Sequence, residues 1–223
     1  MTYDNPVRNF DSSEFEVNKK VIFQFVLDKL SPLMDGPFPL DEMMLMAAAA
    51  IRFNPKLILE WGTNVGYSAK IFYETVKAFS LRSEIHSIDL PDDATHVEHN
   101  PEKVGILIRD IDEIKLHRGD GVNIALDLAK DYPDANVLFF VDGDHEYESV
   151  KRELIAITEK VKYPIIIIHD TLNQSSNSLY NIGPYLATKE ILSSREHQWI
   201  WKTMGLGLPG MILCYKQESL SIK

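Results

Sequence analysis

The chain has 223 residues, 45% of them apolar, with 11 glycines, 11 prolines and one cysteine, which suits one α/β domain with an appendage and gives no expectation of a second independent domain. Its 33 acidic against 23 basic residues give a formal charge of -10 and a pI near 5.2, which repels phosphate backbones and anionic lipids, so neither nucleic acid nor membrane is an expected partner. No apolar run approaches the roughly 18 residues of a membrane-spanning helix. Cys214 has no partner for an internal disulfide, and the opening Met-Thr-Tyr-Asp-Asn lacks the basic and apolar regions of a signal peptide, so the cytoplasm is the expected address.

Residues 1–13 are polar and read as loose, whereas 15–30 carry Val17, Val21, Ile22, Phe25, Val26 and Leu30 at helical spacing. Ser31-Pro32 and the stretch 35–39 break that helix, and a Met- and Ala-rich helix over 40–53 ends at Asn54-Pro55. From Lys56 onward, apolar strand, turn and amphipathic helix alternate. The strands are expected at 57–59, 84–88, 114–117, 137–141 and 165–168, with a helix at 69–78 after the first. An acid follows each strand: Glu60, Asp89, Asp120, Asp142 and Asp170. Their spacing is close to a βαβ unit of roughly 30 residues, which predicts a parallel, doubly wound, Rossmann-like sheet. The polar stretch 91–103 reads as a surface loop or the start of a helix. Two strand-like runs at 197–203 and 211–216, joined by the glycine-rich 205–210, predict a C-terminal antiparallel hairpin. The expected organisation is an N-terminal helical cap, 1–54, on one compact unit, 55–223.

Two places carry the chemistry. In Glu60-Trp-Gly62-Thr63-Asn-Val-Gly66-Tyr-Ser68 a buried strand ends on an acid and passes through two glycines into a helix, so the backbone can approach a ligand and the helix offers its free amides. The spacing is not Gly-x-Gly-x-x-Gly, and no lysine follows as a phosphate-binding loop demands, so a pyrophosphate nucleotide is disfavoured. The second place is the pair Asp142-Gly-Asp144-His145 and His169-Asp170, where buried strands stop abruptly on acids and histidines. In open α/β sheets that carboxyl edge is where ligands sit.

The Glu-x-Gly-x-x-x-Gly turn resembles that of the class I S-adenosylmethionine-dependent methyltransferases, and the likeness covers about residues 55–217, including the terminal hairpin. It implies that Glu60, Gly62, Thr63, Gly66 and Ser68 hold the cofactor and that Asp89 binds its ribose. Gly119 and Asp120 would lie near the adenine, with Asp142 also at the cofactor. The motif Asp142-x-Asp144-His145 narrows the likeness to the branch of macrocin and rhamnosyl O-methyltransferases and the proteins labelled cephalosporin hydroxylase. That branch implies magnesium held by Asp142 and Asp170, with His145 as the base that takes the proton of a substrate hydroxyl. The chemistry is coherent: a hard cation lowers the hydroxyl's pKa, and an imidazole accepts its proton.

His169 stands where those relatives place a carboxylate, and imidazole favours softer ions than magnesium. Three outcomes stay open: magnesium on Asp142, Asp144 and Asp170, a softer ion ligated by His169 with Asp142 and Asp170, or chemistry without a metal through His145. The leading reading is O-methylation of a small molecule, a sugar or natural product. Two alternatives stand beside it, a methyltransferase-like binding protein without turnover and a metal-dependent hydrolase or hydroxylase built on the Asp/His cluster. Among weaker signals, Asp92, Asp93, His96, Glu98 and His99 read as a solvated acidic loop, and Met43, Met44 and Met46 as core or pocket lining. Trp199 and Trp201 read as a core or dimer face, and residues 173–185 as a lid over the acceptor. The helix at 15–30 is open between closing the pocket and pairing with a second subunit.

Overall fold

Strands buried on both faces read as continuous apolar runs rather than alternating ones, and that is how the centre of this sheet is built. The computed structural model describes residues 19–33, 38–96, 100–173, 181–193, 199–205 and 207–222. Seven strands form one sheet: β1 Leu57–Trp61, β2 Glu84–Asp89, β3 Ile114–Arg118, β4 Val137–Val141, β5 Pro164–His169, β6 Ile200–Met204 and β7 Met211–Tyr215. Their order is β3-β2-β1-β4-β5-β7-β6, with β1 to β5 parallel and β7 antiparallel to both β5 and β6. The expected doubly wound sheet with an antiparallel end is therefore the observed one. Strand order reverses between β1 and β4, and such a switch point leaves a crevice at the carboxyl ends of the two strands.

The helices are α1 Lys19–Phe25, continued by a π-helical turn Val26–Leu30, then α2 Leu40–Phe53, α3 Tyr67–Ala78, α4 Gly121–Ala129, α5 Tyr147–Lys160 and α6 Gly183–Ser193. Alternation along each strand divides the apolar residues between two layers. Ile58, Leu138, Phe140, Ile165 and Ile167 pack in one cluster with Phe25, Met46 and Phe72 from the first three helices. Leu59, Phe139, Val141, Ile166 and Ile168 pack on the other face with Leu126, Leu154 and Ala187. Met43 and Met46 belong to the first layer as core. Trp199 is buried in the second, with Trp201 against it. Helix α1 is described from Lys19, and positions 15–18 of the expected first helix lie outside the described residues, as do 1–13, 97–99 and 174–180 of the expected loop and lid. Within 100–113 the chain makes turns rather than a helix before β3.

Candidate active site

The turn leaving β1 is shaped by contact with the end of β4. Gly62 adopts φ +85°, and a Cβ there would stand 2.2 Å from the carbonyl oxygen of Asp142, so any side chain would collide with backbone. Its N–H donates to the carbonyl of Ile88 (3.0 Å), and the next loop amide, Asn64 N–H, donates to Asp89 Oδ2 (2.9 Å). Leu90 N–H donates to the other oxygen of Asp89 (2.8 Å), so that carboxylate sits at the end of β2 with its orientation set by backbone. A cavity of about 320 Å³ opens here, lined by Gly62, Asp89, Gly119, Asp120, Asp142, Asp144 and His145, together with Trp61, Asn64, His96, Arg152 and Glu153.

Glu60, Thr63, Gly66 and Ser68 do not line this cavity. Gly66, at φ +98°, is the N-cap of α3. Glu60 is fully buried, as Thr63 and Ser68 nearly are, on the α3 side of the sheet. Ser87 Oγ donates to Glu60 and contacts Thr63 Oγ1 (2.6 Å), making a polar layer beneath the glycine turn. Burial pushes the Glu60 carboxyl up to about 8, against hydrogen bonds from Ser87 and Ser68 and with the charges of Asp142 and Asp89. Asp120 caps α4, accepting from Asn123 N–H (2.9 Å), and takes two hydrogen bonds from Arg152 Nη2 (2.9 and 2.7 Å).

The two strand ends converge as their pattern predicts. Asp142 follows β4, and β5 ends on His169, on the face toward α2. His169 Nδ1 lies 2.9 Å from Asp142 Oδ1 and 3.7 Å from Asp170 Oδ1. His145 Nε2 lies 2.9 Å from Asp170 Oδ2 and 3.8 Å from Asp142 Oδ1. Asp170 has φ +56°, a left-handed conformation that Asp tolerates better than most residues, and this turn brings its carboxylate back to the histidines. Asn181 Nδ2 donates to Asp170 Oδ2 (3.1 Å). Among the described residues, Asp142, His169 and Asp170 form a group able to hold a metal ion, one ligand atom from each lying within 4.8 Å of the others. Asp144 is not in that group. Its carboxylate accepts from Glu146 N–H (3.0 Å) and from Ser149 Oγ, and so serves the start of α5.

Electrostatics tie these groups together. The carboxylates of Asp142 and Asp170 push the His145 imidazole up to about 10. Burial alone would lower His169, but the charge of Asp142 and hydrogen bonds to Asp142 and Glu42 raise it to about 10. Burial opposes ionisation of Asp142, yet His169 and His145 hold it below the usual carboxylate range. Glu42 has no place in the motifs. It lies on the first turn of α2 at 1% exposure, and nothing in the run Leu40-Asp41-Glu42 separates it from an ordinary acid at a helix start. Glu153 is likewise hidden by its sequence setting in a charged helix. Burial pushes its carboxyl up to about 8.

The sequence profile of a family described as a methyltransferase domain matches residues 59–171, just over half of the chain. The protein belongs to that family. Among solved structures, the methyltransferase is similar to TomG of Streptomyces achromogenes, an O-methyltransferase of tomaymycin synthesis in complex with S-adenosylmethionine. The TM-score is 0.58 at 13% identity over 88% of this chain and 96% of that one. A Bacillus cereus O-methyltransferase in complex with S-adenosylhomocysteine gives a TM-score of 0.56 at 14% identity, covering 87% and 90%. A TDP-rhamnose 3'-O-methyltransferase of calicheamicin biosynthesis gives 0.51 at 15%, covering 87% and 93%. At these identities the likeness is one of fold. Among the described residues no helix is long and apolar enough to cross a membrane.

Proposed function

We propose that this methyltransferase transfers a methyl group from S-adenosylmethionine to a hydroxyl of a small molecule, a sugar or a natural product, assisted by a divalent ion. The observation that carries this reading is the junction of two halves of one site: the cavity lined by Gly62, Asp89 and Asp142 opens directly onto His145, whose ring faces the Asp142 and Asp170 carboxylates. The cavity volume falls within the range of small-molecule sites. Its lining combines the aromatic side chain of Trp61 with the polar side chains of Asp89, Asp120, Arg152 and Glu153, which suits a ligand with both a flat ring and hydrogen-bonding groups. S-adenosylmethionine supplies the electrophilic methyl group, and a divalent ion on Asp142, His169 and Asp170 supplies positive charge for the acceptor oxygen.

Asp89 holds the ribose hydroxyls, because backbone amides from Asn64 and Leu90 fix both of its oxygens at the cavity edge. Gly119 and Asp120 close the adenine end. Glu60, Thr63 and Ser68 act from below, supporting the turn through which Gly62 and Gly66 bring the backbone close. Asp142 and Asp170 favour the imidazolium form of His145, so it accepts a hydroxyl proton only when those carboxylates are otherwise engaged. The lone cysteine, Cys214, is buried and free, in keeping with the cytoplasm as the place of action.

Calorimetry with S-adenosylhomocysteine tests the cofactor half: binding is expected, and Asp89→Ala should weaken it at least tenfold. Methyl transfer to a panel of sugar nucleotides and phenols tests the other half, where His145→Ala should lower kcat by about 10²–10⁴-fold and leave S-adenosylhomocysteine binding intact. Binding of neither cofactor form would end the proposal. Cofactor binding without transfer to any acceptor would instead favour a binding protein on a methyltransferase fold.

A further inference from the structure

Glu42 is a carboxylate enclosed by protein with both oxygens engaged. Oε1 accepts from Gly210 N–H (2.8 Å) and Oε2 lies 3.1 Å from His169 Nε2. The rings of Phe38 and Phe140 flank the imidazole, with centroids 5.1 and 6.3 Å away. An ionised carboxylate only accepts hydrogen bonds, so Nε2 of His169 must carry the hydrogen that faces it. The other ring nitrogen, Nδ1, is thereby turned toward Asp142 and Asp170.

We propose that Glu42 is a positioning residue that presents His169 Nδ1 as a metal ligand beside Asp142 and Asp170, so that the site takes a transition-series divalent cation such as zinc in preference to magnesium. This rests on the reading of that cluster as the ion site of the methyltransferase. The separations of Nδ1 from the two carboxylate oxygens, 2.9 and 3.7 Å, bracket the roughly 3–3.5 Å between neighbouring ligand atoms when metal–ligand bonds are about 2.0–2.2 Å, so side-chain shifts of a few tenths of an ångström would form the site. Entry of the ion replaces the contact between Nδ1 and Asp142 with a nitrogen–metal bond, the ring proton passing to solvent. A carboxylate accepting the far N–H of a ligating histidine fixes its tautomer and strengthens it as a donor. Magnesium instead demands near-octahedral oxygen ligation and keeps its waters, and an imidazole walled by two phenyl rings does not supply that.

Zinc and magnesium binding to the full chain, measured by calorimetry alongside ¹⁵N NMR of the histidine rings, tests the assignment. Zinc should bind at least tenfold more tightly than magnesium, shift the Nδ1 signal of His169 and leave its Nε2 protonated. In Glu42→Gln, the amide oxygen stays on Gly210 N–H and the NH₂ turns to Nε2, which reverses the tautomer. Zinc affinity should then fall about 10–100-fold while S-adenosylhomocysteine binding and circular dichroism are unchanged. His169→Asp should reverse the preference toward magnesium, and it decides the matter if Glu42→Gln does not fold. Equal affinity for the two ions, an unmoved Nδ1 signal, or unchanged zinc binding in Glu42→Gln that retains its fold would each overturn the inference. Failure to bind S-adenosylhomocysteine would overturn the methyltransferase reading alone, since the zinc titration does not depend on it.

Discussion

Glu60 holds its proton at neutral pH, because its carboxyl is fully buried and pushed up to about 8. The unfolded chain releases that proton near the ordinary glutamate value of 4.5, so between 4.5 and 8 the folded state binds one more proton than the unfolded state. Stability from this group is therefore greatest at low pH and falls as pH rises through that window, by up to about 1.4 kcal/mol per unit. Glu60→Gln keeps the shape and removes the slope. Urea unfolding between pH 5 and 8 should show wild type losing stability relative to the variant, and parallel profiles would show that the proton resides elsewhere. Glu60 also marks where a motif misleads. The pattern Glu-x-Gly-x-x-x-Gly is legible in sequence, but whether its acid faces the ligand or the layer beneath depends on strand alternation. Glu60 follows Ile58 onto the α3 side, away from the cavity.

At the scale of elements, the loop Asp142-Gly143-Asp144-His145 both ends β4 and starts α5. Asp144 satisfies the N–H of Glu146 and meets Ser149 Oγ, fixing the first turn of the helix that carries Arg152 and Glu153 into the cavity wall. Asp144 precedes the N-cap residue, Glu146, and losing hydrogen bonds of this kind costs about 1 kcal/mol. Asp144→Ala should lower the unfolding free energy by about that much, and Asp144→Asn, which keeps an acceptor, by less; chemical denaturation of the three proteins compares them. The start of α6 rests on the same loop. A Cβ on Gly183 would come within 2.2 Å of the carbonyl oxygen of His145, so the loop carrying Asp142 and His145 is packed from behind by a helix. The sequence read 173–185 as a lid, because its Asn, Ser, Gly and Pro content signals a loop, yet from Gly183 the chain is helical. Packing against α5 and β5 outweighs local composition there.

For the whole molecule, cofactor and fold should be linked by mass action. S-adenosylhomocysteine at a hundred times its dissociation constant adds about 2.7 kcal/mol to stability, which for a chain of this length raises Tm by about 5–10 °C. Differential scanning fluorimetry reads the shift, and no rise at saturating ligand would contradict binding at the crevice between β1 and β4. The carboxyl edge of the sheet as the ligand side is legible in the sequence, whereas the strand order that puts the crevice between β1 and β4 comes from the fold. The apolar runs, the regular acids that follow them and the terminal hairpin prescribe a doubly wound sheet, since strands buried on both faces must be continuously apolar and parallel strands need helical crossovers. Residues at strand ends, Asp89, Asp142, His169 and Asp170, were readable for the same reason. Only the tertiary structure decided which groups meet them. Glu42 is 127 residues from His169 and comes from a helix whose nearly all-round burial leaves no distinguishing face in the sequence. Partnership across the sheet depends on how α2 docks on β5 and β7, and no local pattern encodes that distance.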